Sequence, residues 1–191
     1  MAITPGILTA SILGSAPDLV GKNWFLLAGA VGGALPKWFR LPSGVFLTGV
    51  VTGVVGGGVV SGKIFLPPSP LPLPATFLGV GFAGPEAMRI ATGIGLGVST
   101  AINSAGNYAG VATGAIGSDT SKVVFADPVS LTGIISAELA ALGFLGPSAP
   151  LLASGIANGI STMLLKGTGT GVATGTPGPS PGVGVSKSLI I

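Results

Sequence analysis

The chain contains no cysteine and no histidine, and charged residues make up only 7% of its 191 residues. Without cysteine there are no disulfides and no thiolate chemistry, and without histidine the commonest metal ligand and general base is missing. We therefore predict no metal site and no cofactor. Soluble domains usually contain about 25% charged residues, so we expect most of this surface to be covered by protein or lipid.

Positive charge is both scarce and scattered. Eight Lys and Arg residues stand against five Asp and Glu residues, which gives a net charge of +3. Binding of nucleic acid needs a basic stripe, and because no segment gathers its basic residues into one, we expect no nucleic-acid partner. The first cation is Lys22, so the beginning of the chain lacks the basic region of a secretory signal.

Catalytic motifs are also missing. The glycine-rich stretches "GIGLGVST" and "GTGTGVATG" have the glycine spacing of phosphate-binding loops, but no Gly-Lys-Ser or Gly-Lys-Thr follows them. A two-carboxylate hydrolase needs acids within about 5 to 10 Å of each other, and the sequence spacing suggests no such pair. The carboxylates are Asp18, Glu86, Asp119, Asp127 and Glu138. The sequence therefore predicts that the protein is not an enzyme.

Glycine, in contrast, is abundant, with 35 residues, and one glycine-rich segment occurs twice. "GFAGPEAMRIATGIGLGVSTAI" begins at Gly81 and "GFLGPSAPLLASGIANGISTML" begins at Gly143, 62 residues later, and the two match at 11 of 22 positions. Repeat periods above 20 residues are typical of stacked or ring-like units that cannot bury their apolar faces alone. Shorter matches place a third, more divergent copy at the beginning of the chain. The predicted units are residues 1–63, 64–123 and 124–191.

Each unit is predicted to contain two helices followed by a β-hairpin, which gives an α+β fold of three tandem pseudo-repeats of about 60 residues around a pseudo-threefold axis. In the third unit Asp127 is an N-cap with Pro128 in the first helical position. Gly146 and Pro147 restart a helix that reaches about Leu165. Glycine-rich and β-branched stretches then flank the turn "TPGPSP". The first helix of the second unit is doubtful, because the five prolines of residues 67–74 favour an extended segment.

Each unit also carries two glycines four residues apart on its second helix. Such a pair lies on one helical face and allows another backbone to approach closely. We predict that these glycines pack the central helices against one another or against a partner. The glycines are Gly29, Gly33, Gly93, Gly97, Gly155 and Gly159.

Two uncharged runs, 90–118 and 139–165, are long enough to cross a bilayer, which needs about 20 residues. They are rich in Gly, Ser, Thr, Asn and Pro, and each contains a predicted break, whereas a lipid-exposed span usually has more Leu, Ile and Phe. Burial inside a protein assembly is therefore the favoured interpretation. A membrane-inserted pore or holin-like protein with glycine-packed helices is the alternative.

The tail "GTGTGVATGTPGPSPGVGVSKSLI", together with the alanine- and glycine-rich helices, resembles hydrophobic virion structural proteins of tailed bacteriophages, in particular tail or baseplate components. The resemblance covers mainly the last 45 residues. It implies incorporation into a symmetric viral particle, with other virion proteins or copies of the same chain as partners and contact with the host membrane during genome delivery. Phage tails change from sixfold to threefold symmetry at the hub, and a chain with three internal copies could match such a surface.

Overall fold

A computed structural model describes residues 5–17, 21–40, 46–54, 57–66, 72–112, 117–125, 127–166, 168–175 and 182–190; for most strand residues the description concerns the backbone. The helices are α1 (Pro5–Ser15), α2 (Lys22–Arg40), α3 (Pro72–Gly79), α4 (Pro85–Ala105), α5 (Pro128–Ala141) and α6 (Ser148–Lys166). The strands are β1 (Phe46–Val54), β2 (Gly57–Phe65), β3 (Asn107–Ala112), β4 (Gly117–Phe125), β5 (Thr168–Gly175) and β6 (Gly182–Ile190).

Local sequence signals determine where several helices begin. Asp127 is the N-cap of α5, and its carboxylate accepts hydrogen bonds from the backbone N–H groups of Val129 and Ser130. Pro128 follows in the first helical position, where a missing N–H costs nothing. Gly84 precedes α4, which starts with Pro85. The predicted start of α5 is therefore confirmed.

The proline-rich segment before α4 is more helical than the sequence predicts. We expected residues 67–74 to be extended, but α3 begins at Pro72 and includes Pro74. Both prolines lie in the first turn of the helix, where N–H groups have no partner within the helix and proline is tolerated. The expectation was wrong for these residues because proline disfavours a helix interior and not a helix start.

The six helices form a ring. Each packs against the helix before and after it in the chain, and α6 closes the ring against α1. The short helices α1, α3 and α5 each bury one apolar stripe, as amphipathic helices do; the buried large side chains are Leu8 and Ile12 in α1, Leu73 and Phe77 in α3, and Leu131, Ile135 and Leu139 in α5. The long helices α2, α4 and α6 are buried on most sides and supply most of the core.

The two described turns between a short and a long helix have the same geometry. The N–H of Phe82 donates to the carbonyl of Phe77, and the N–H of Phe144 donates to the carbonyl of Leu139. Gly81 and Gly143 have positive φ angles of 80° and 86°. This is the Schellman arrangement, in which a left-handed glycine ends a helix. These turns, residues 80–84 and 142–147, lie at the end of the ring away from the strands and are called the turn end below.

The backbones of the six strands pair antiparallel, each with the next in the chain, and β6 pairs with β1 to close a barrel. Residues 58, 60, 62 and 64 share one face of β2, and this face contains two glycines and the buried Ile64. Val111, which pairs with a residue of the opposite face, is 66% exposed. Glycine on the inner face suits a barrel of only six strands, whose interior is narrow.

The predicted fold class, α+β with β-hairpins, is wrong. Where side chains are described, most residues lie in six helices and no β-hairpin is complete, because all three turns between paired strands fall outside the described residues. Among the described core residues, all except Ile64 and Leu66 belong to helices. Glycine-rich segments have few side chains to bury, so the helices bury their apolar faces on one another. The unit boundaries 1–63, 64–123 and 124–191 stay a prediction.

Candidate functional site

The predicted glycine pair of α4 lies directly against α5. A methyl group added at Gly97 would be 2.9 Å from the Cα of Ile135, and one added at Gly93 would be 3.0 Å from Leu139 Cδ2. A side chain at Gly97 would collide with the backbone of α5, whereas one at Gly93 would meet the end of the Leu139 side chain and lie 3.5 Å from the Leu139 Cα. Both glycines are buried, so they allow the backbones of the two helices to approach closely.

The glycine pair of α6 lies against α1 in the same way. A methyl group at Gly155 would be 2.7 Å from the Cα of Ile12, and one at Gly159 would be 3.1 Å from the Cα of Leu8. In both cases the glycines contact the short helix that begins another predicted unit: α5 begins unit 124–191, and α1 begins unit 1–63. We had predicted packing among the central helices or against a partner, whereas the nearest atoms belong to the outer helices of the ring.

The remaining pair, Gly29 and Gly33, is not brought into such a contact. Neither position has another atom within 4 Å of an added methyl group, and Gly29 is exposed. The exposed side of α2 runs along residues 25, 29, 33 and 37, just as the outward side of α4 runs along 88, 92, 96 and 100. Gly29 therefore corresponds to Thr92 and not to Gly93.

The positions of α2 that correspond to Gly93 and Gly97 are Ala30 and Ala34, which are fully buried. From this register we infer that they face α3, the next short helix of the ring, as Gly93 and Gly97 face α5. Where α2 meets α3, two methyl groups therefore occupy the positions that glycines occupy where α4 meets α5 and α6 meets α1. The sequence signal for this register is the line of exposed residues Lys22, Phe25 and Lys37 on one side of α2.

Helix α1 is also tightly packed on its second side. Gly32 of α2 faces Thr9, whose backbone N would be 3.0 Å from an added methyl group. The Thr9 hydroxyl donates to the carbonyl of Pro5 at 3.1 Å, one turn earlier. Helix α1 is therefore held closely from both sides, by α2 and by α6.

A polar cluster joins α4 to the end of β2. The side-chain amide of Asn103 accepts a hydrogen bond from the N–H of Leu66 at 2.7 Å and donates to the carbonyl of Leu66 at 3.0 Å. The hydroxyl of the buried Ser99 donates to the same carbonyl at 2.9 Å. The Asn103 side chain thus bonds both the N–H and the carbonyl of Leu66, as a neighbouring strand would. These backbone groups follow the last residue of β2 and would otherwise lack a partner in the sheet. We call these three residues the Asn103 cluster; sequence reasoning missed it.

Large apolar side chains are exposed at both ends of the helical ring. At the turn end, Leu145 is 77% exposed and Phe25 and Leu78 are each 55% exposed. Near the strands, Val129 is 79% exposed and Leu165 is 55% exposed. Single exposed apolar residues are normal in soluble proteins, but here they occur on a chain with only 7% charged residues. Beside Leu145 lies a shallow, mainly apolar cleft of about 270 Å³ between α5 and α6.

Charged groups are few on the described surface, and they have local roles. Glu86 and Arg89 form an exposed ion pair of 3.5 Å within the first turn of α4. Hydrogen bonds from the Ser130 hydroxyl and from the Val129 N–H lower the pKa of Asp127, and desolvation acts in the opposite direction. Within the described ranges, no three Asp or Glu residues come together in a group that could hold a metal ion.

One described helix is long and apolar enough to cross a membrane. Residues Ser148–Leu165 of α6 have a mean hydropathy of 1.2, and 61% of this window is buried inside the molecule. Its buried part packs on α1 and α5 and forms part of the core. Length and composition alone therefore do not distinguish a membrane span from a core helix here.

Comparisons of the chain with protein family models, with curated proteins and with solved structures found no match.

Proposed function

We propose that this chain is a non-enzymatic structural and assembly protein of a viral particle, in the tail or the baseplate. The observation that carries the proposal is the set of exposed apolar side chains on a surface with very little charge. A free globular protein usually keeps such surfaces small and surrounds them with charged residues. A subunit of a tightly packed particle buries them against its neighbours.

The partners we propose are other virion proteins or further copies of this chain. Val129 and Leu145, each more than three quarters exposed, are at opposite ends of α5. Apolar contacts at both ends would let one subunit join two neighbours. The binding free energy would come from apolar area removed from water, at roughly 25 cal/mol per Å², with no chemical step.

The ring of helices also suits a symmetric position in the particle. Two of its junctions, α4 with α5 and α6 with α1, use the same pair of glycines against the same kind of short helix. Three related units in one chain could match a threefold hub as a single molecule. The threefold arrangement and the symmetry-matching role are both part of the proposal.

The test is to purify virus particles and identify this chain among their proteins by mass spectrometry. We expect it in a fixed small number per particle, and we expect the chain expressed alone to aggregate unless detergent is present. Its absence from particles would contradict the proposal, and so would a stable, freely soluble monomer.

A membrane pore or holin-like protein is the second candidate, and the apolar window of α6 favours it. Such a protein would sediment with membranes when expressed alone and would release a dye trapped in liposomes. A particle component that does not form pores would be found in particles and would leave the liposomes intact. The two measurements together separate the candidates.

A further inference from the structure

Helix α3 is the smallest helix of the ring and the one with the least contact to its neighbours. It has 8 residues, compared with 11 in α1 and 14 in α5. Its contacts with α2 and with α4 are smaller than those at any other position of the ring. Because buried apolar area supplies most of the free energy that holds a helix in place, α3 is held least firmly.

The face of α2 towards α3 explains part of this difference. Ala30 and Ala34 occupy the positions at which α4 and α6 have glycines. On α3 the ring of Phe77 stands where α5 has Leu139, since both residues accept the hydrogen bond that ends their helix. Because interiors are close-packed, larger groups on both sides leave the two backbones less room to approach than the glycines of α4 and α6 allow.

The segment that contains α3 is nevertheless fixed to α4 at both ends. Before α3, the backbone of Leu66 is hydrogen-bonded to the side chains of Asn103 and Ser99 in α4. After α3, the chain turns at Gly81 and Gly84, both with positive φ, and enters α4 at Pro85. Movement of α3 therefore need not disturb β2 or α4.

We propose that α3 is a flap, which opens away from α2 while the other five helices and the barrel stay folded. Opening uncovers the apolar face of α2 around Ala30 and Ala34, together with the inner side of Phe77. The other short helices do not open in this way, because glycines seat α1 and α5 directly on α6 and α4. The flap is a property of the fold and does not depend on the viral role proposed above.

Hydrogen exchange followed by mass spectrometry on the full-length chain in detergent tests the flap. Local opening exposes backbone amides without global unfolding, so we expect amides of α3 to exchange at least about tenfold faster than those of α1 and α5. Equal exchange rates in the three short helices would overturn the proposal.

The variant Gly79→Ala makes the test specific. Gly79 lies at the end of α3 with no atom within 4 Å of an added methyl group, so alanine fits and stabilises the helix. We expect exchange in α3 to slow by about two- to fivefold and exchange in the other helices to stay unchanged. Gly133→Ala is the matched control, because Gly133 has equal space in α5, and it should leave α3 unchanged. If Gly79→Ala slows all helices together, α3 opens only by global unfolding and the proposal is wrong.

Discussion

The contacts between each long helix and the short helix that follows it in the ring are of two kinds, and their difference shows what glycine contributes. Where α4 meets α5 and α6 meets α1, one glycine at each contact brings the backbones so close that an added methyl group would be 2.9 Å (Gly97) or 2.7 Å (Gly155) from a Cα atom of the partner. Where α2 meets α3, the corresponding residues are Ala30 and Ala34, and the contact is smaller. Apolar composition alone does not close the ring tightly; the shape of the contact decides.

Truncating the matched residues on α5 and α3 gives the largest expected effect. Leu139→Ala removes a fully buried side chain from a closed junction and should lower the free energy of unfolding by about 2 to 5 kcal/mol. Phe77→Ala removes more atoms, yet we expect a smaller loss, because α3 can detach locally and so limits the cost to the rest of the fold. Chemical denaturation followed by circular dichroism measures both. A larger loss for Phe77→Ala would contradict the comparison.

Adding one methyl group to α4 and one to α2 should change stability in opposite directions. Gly97→Ala forces a methyl group against the backbone of α5 and should cost about 1 to 3 kcal/mol. Gly33→Ala adds the same group to open space on α2 and should stabilise by about 0.4 to 1 kcal/mol, because alanine loses less backbone entropy on folding. Melting temperatures of the two variants, measured side by side, check the signs. Equal destabilisation would show that the register assigned to α2 is wrong.

Removing the amide of Asn103 should weaken the attachment of β2 to α4. Asn103→Ala leaves the N–H of Leu66 without its partner, and losing such a part-buried hydrogen bond costs about 1 to 3 kcal/mol. Asn158→Ala is the control, because Asn158 is exposed and its side-chain amide donates to the Ser154 hydroxyl one turn earlier in α6; its effect should stay within about 0.5 kcal/mol. Denaturation curves distinguish the two, and equal effects would mean that the Asn103 cluster does not hold the strand.

The smallest expected effect is the pH dependence of the α5 cap. Hydrogen bonds from Ser130 and Val129 lower the pKa of Asp127 below its ordinary value of 3.8. A depressed pKa in the folded state means that the cap stabilises α5 above the pKa of the unfolded chain, and that this contribution is lost as the pH falls through the folded pKa. Exchange in the first turn of α5 should therefore rise in acid, and Asp127→Asn should remove that dependence. No pH effect in the unchanged chain would mean that the cap is absent.

Helix starts could be predicted from the sequence because their causes are local. Asp127 before Pro128, and Gly84 before Pro85, satisfy or avoid backbone N–H groups within one turn. The same reasoning fails for α3, because the five prolines of residues 67–74 predict an extended segment although Pro72 and Pro74 lie in the first turn of the helix. The residue at which such a helix begins depends on its contacts with neighbouring helices, and the spacing of prolines in the sequence does not reveal these contacts.

Properties that depend on contacts between distant segments were harder to predict. The four-residue spacing of glycines identifies the closely packed positions on α4 and α6. On α2 the same spacing selects Gly29 and Gly33, each of which precedes the buried position by one residue. Alternating glycine and β-branched residues led to the α+β prediction, although the described core is helical. The Asn103 cluster joins residues 37 positions apart, so no local sequence pattern predicts it.

Covalent footprinting of the exposed apolar residues tests the proposed role most directly. The chain would be labelled once in detergent and once inside purified virus particles, with Val129 and Leu145 as reporters. We expect both residues to be labelled strongly in the isolated chain and to be protected in particles by neighbouring proteins. Equal labelling in the two states, or the absence of the chain from particles, would contradict its assignment as a buried structural subunit.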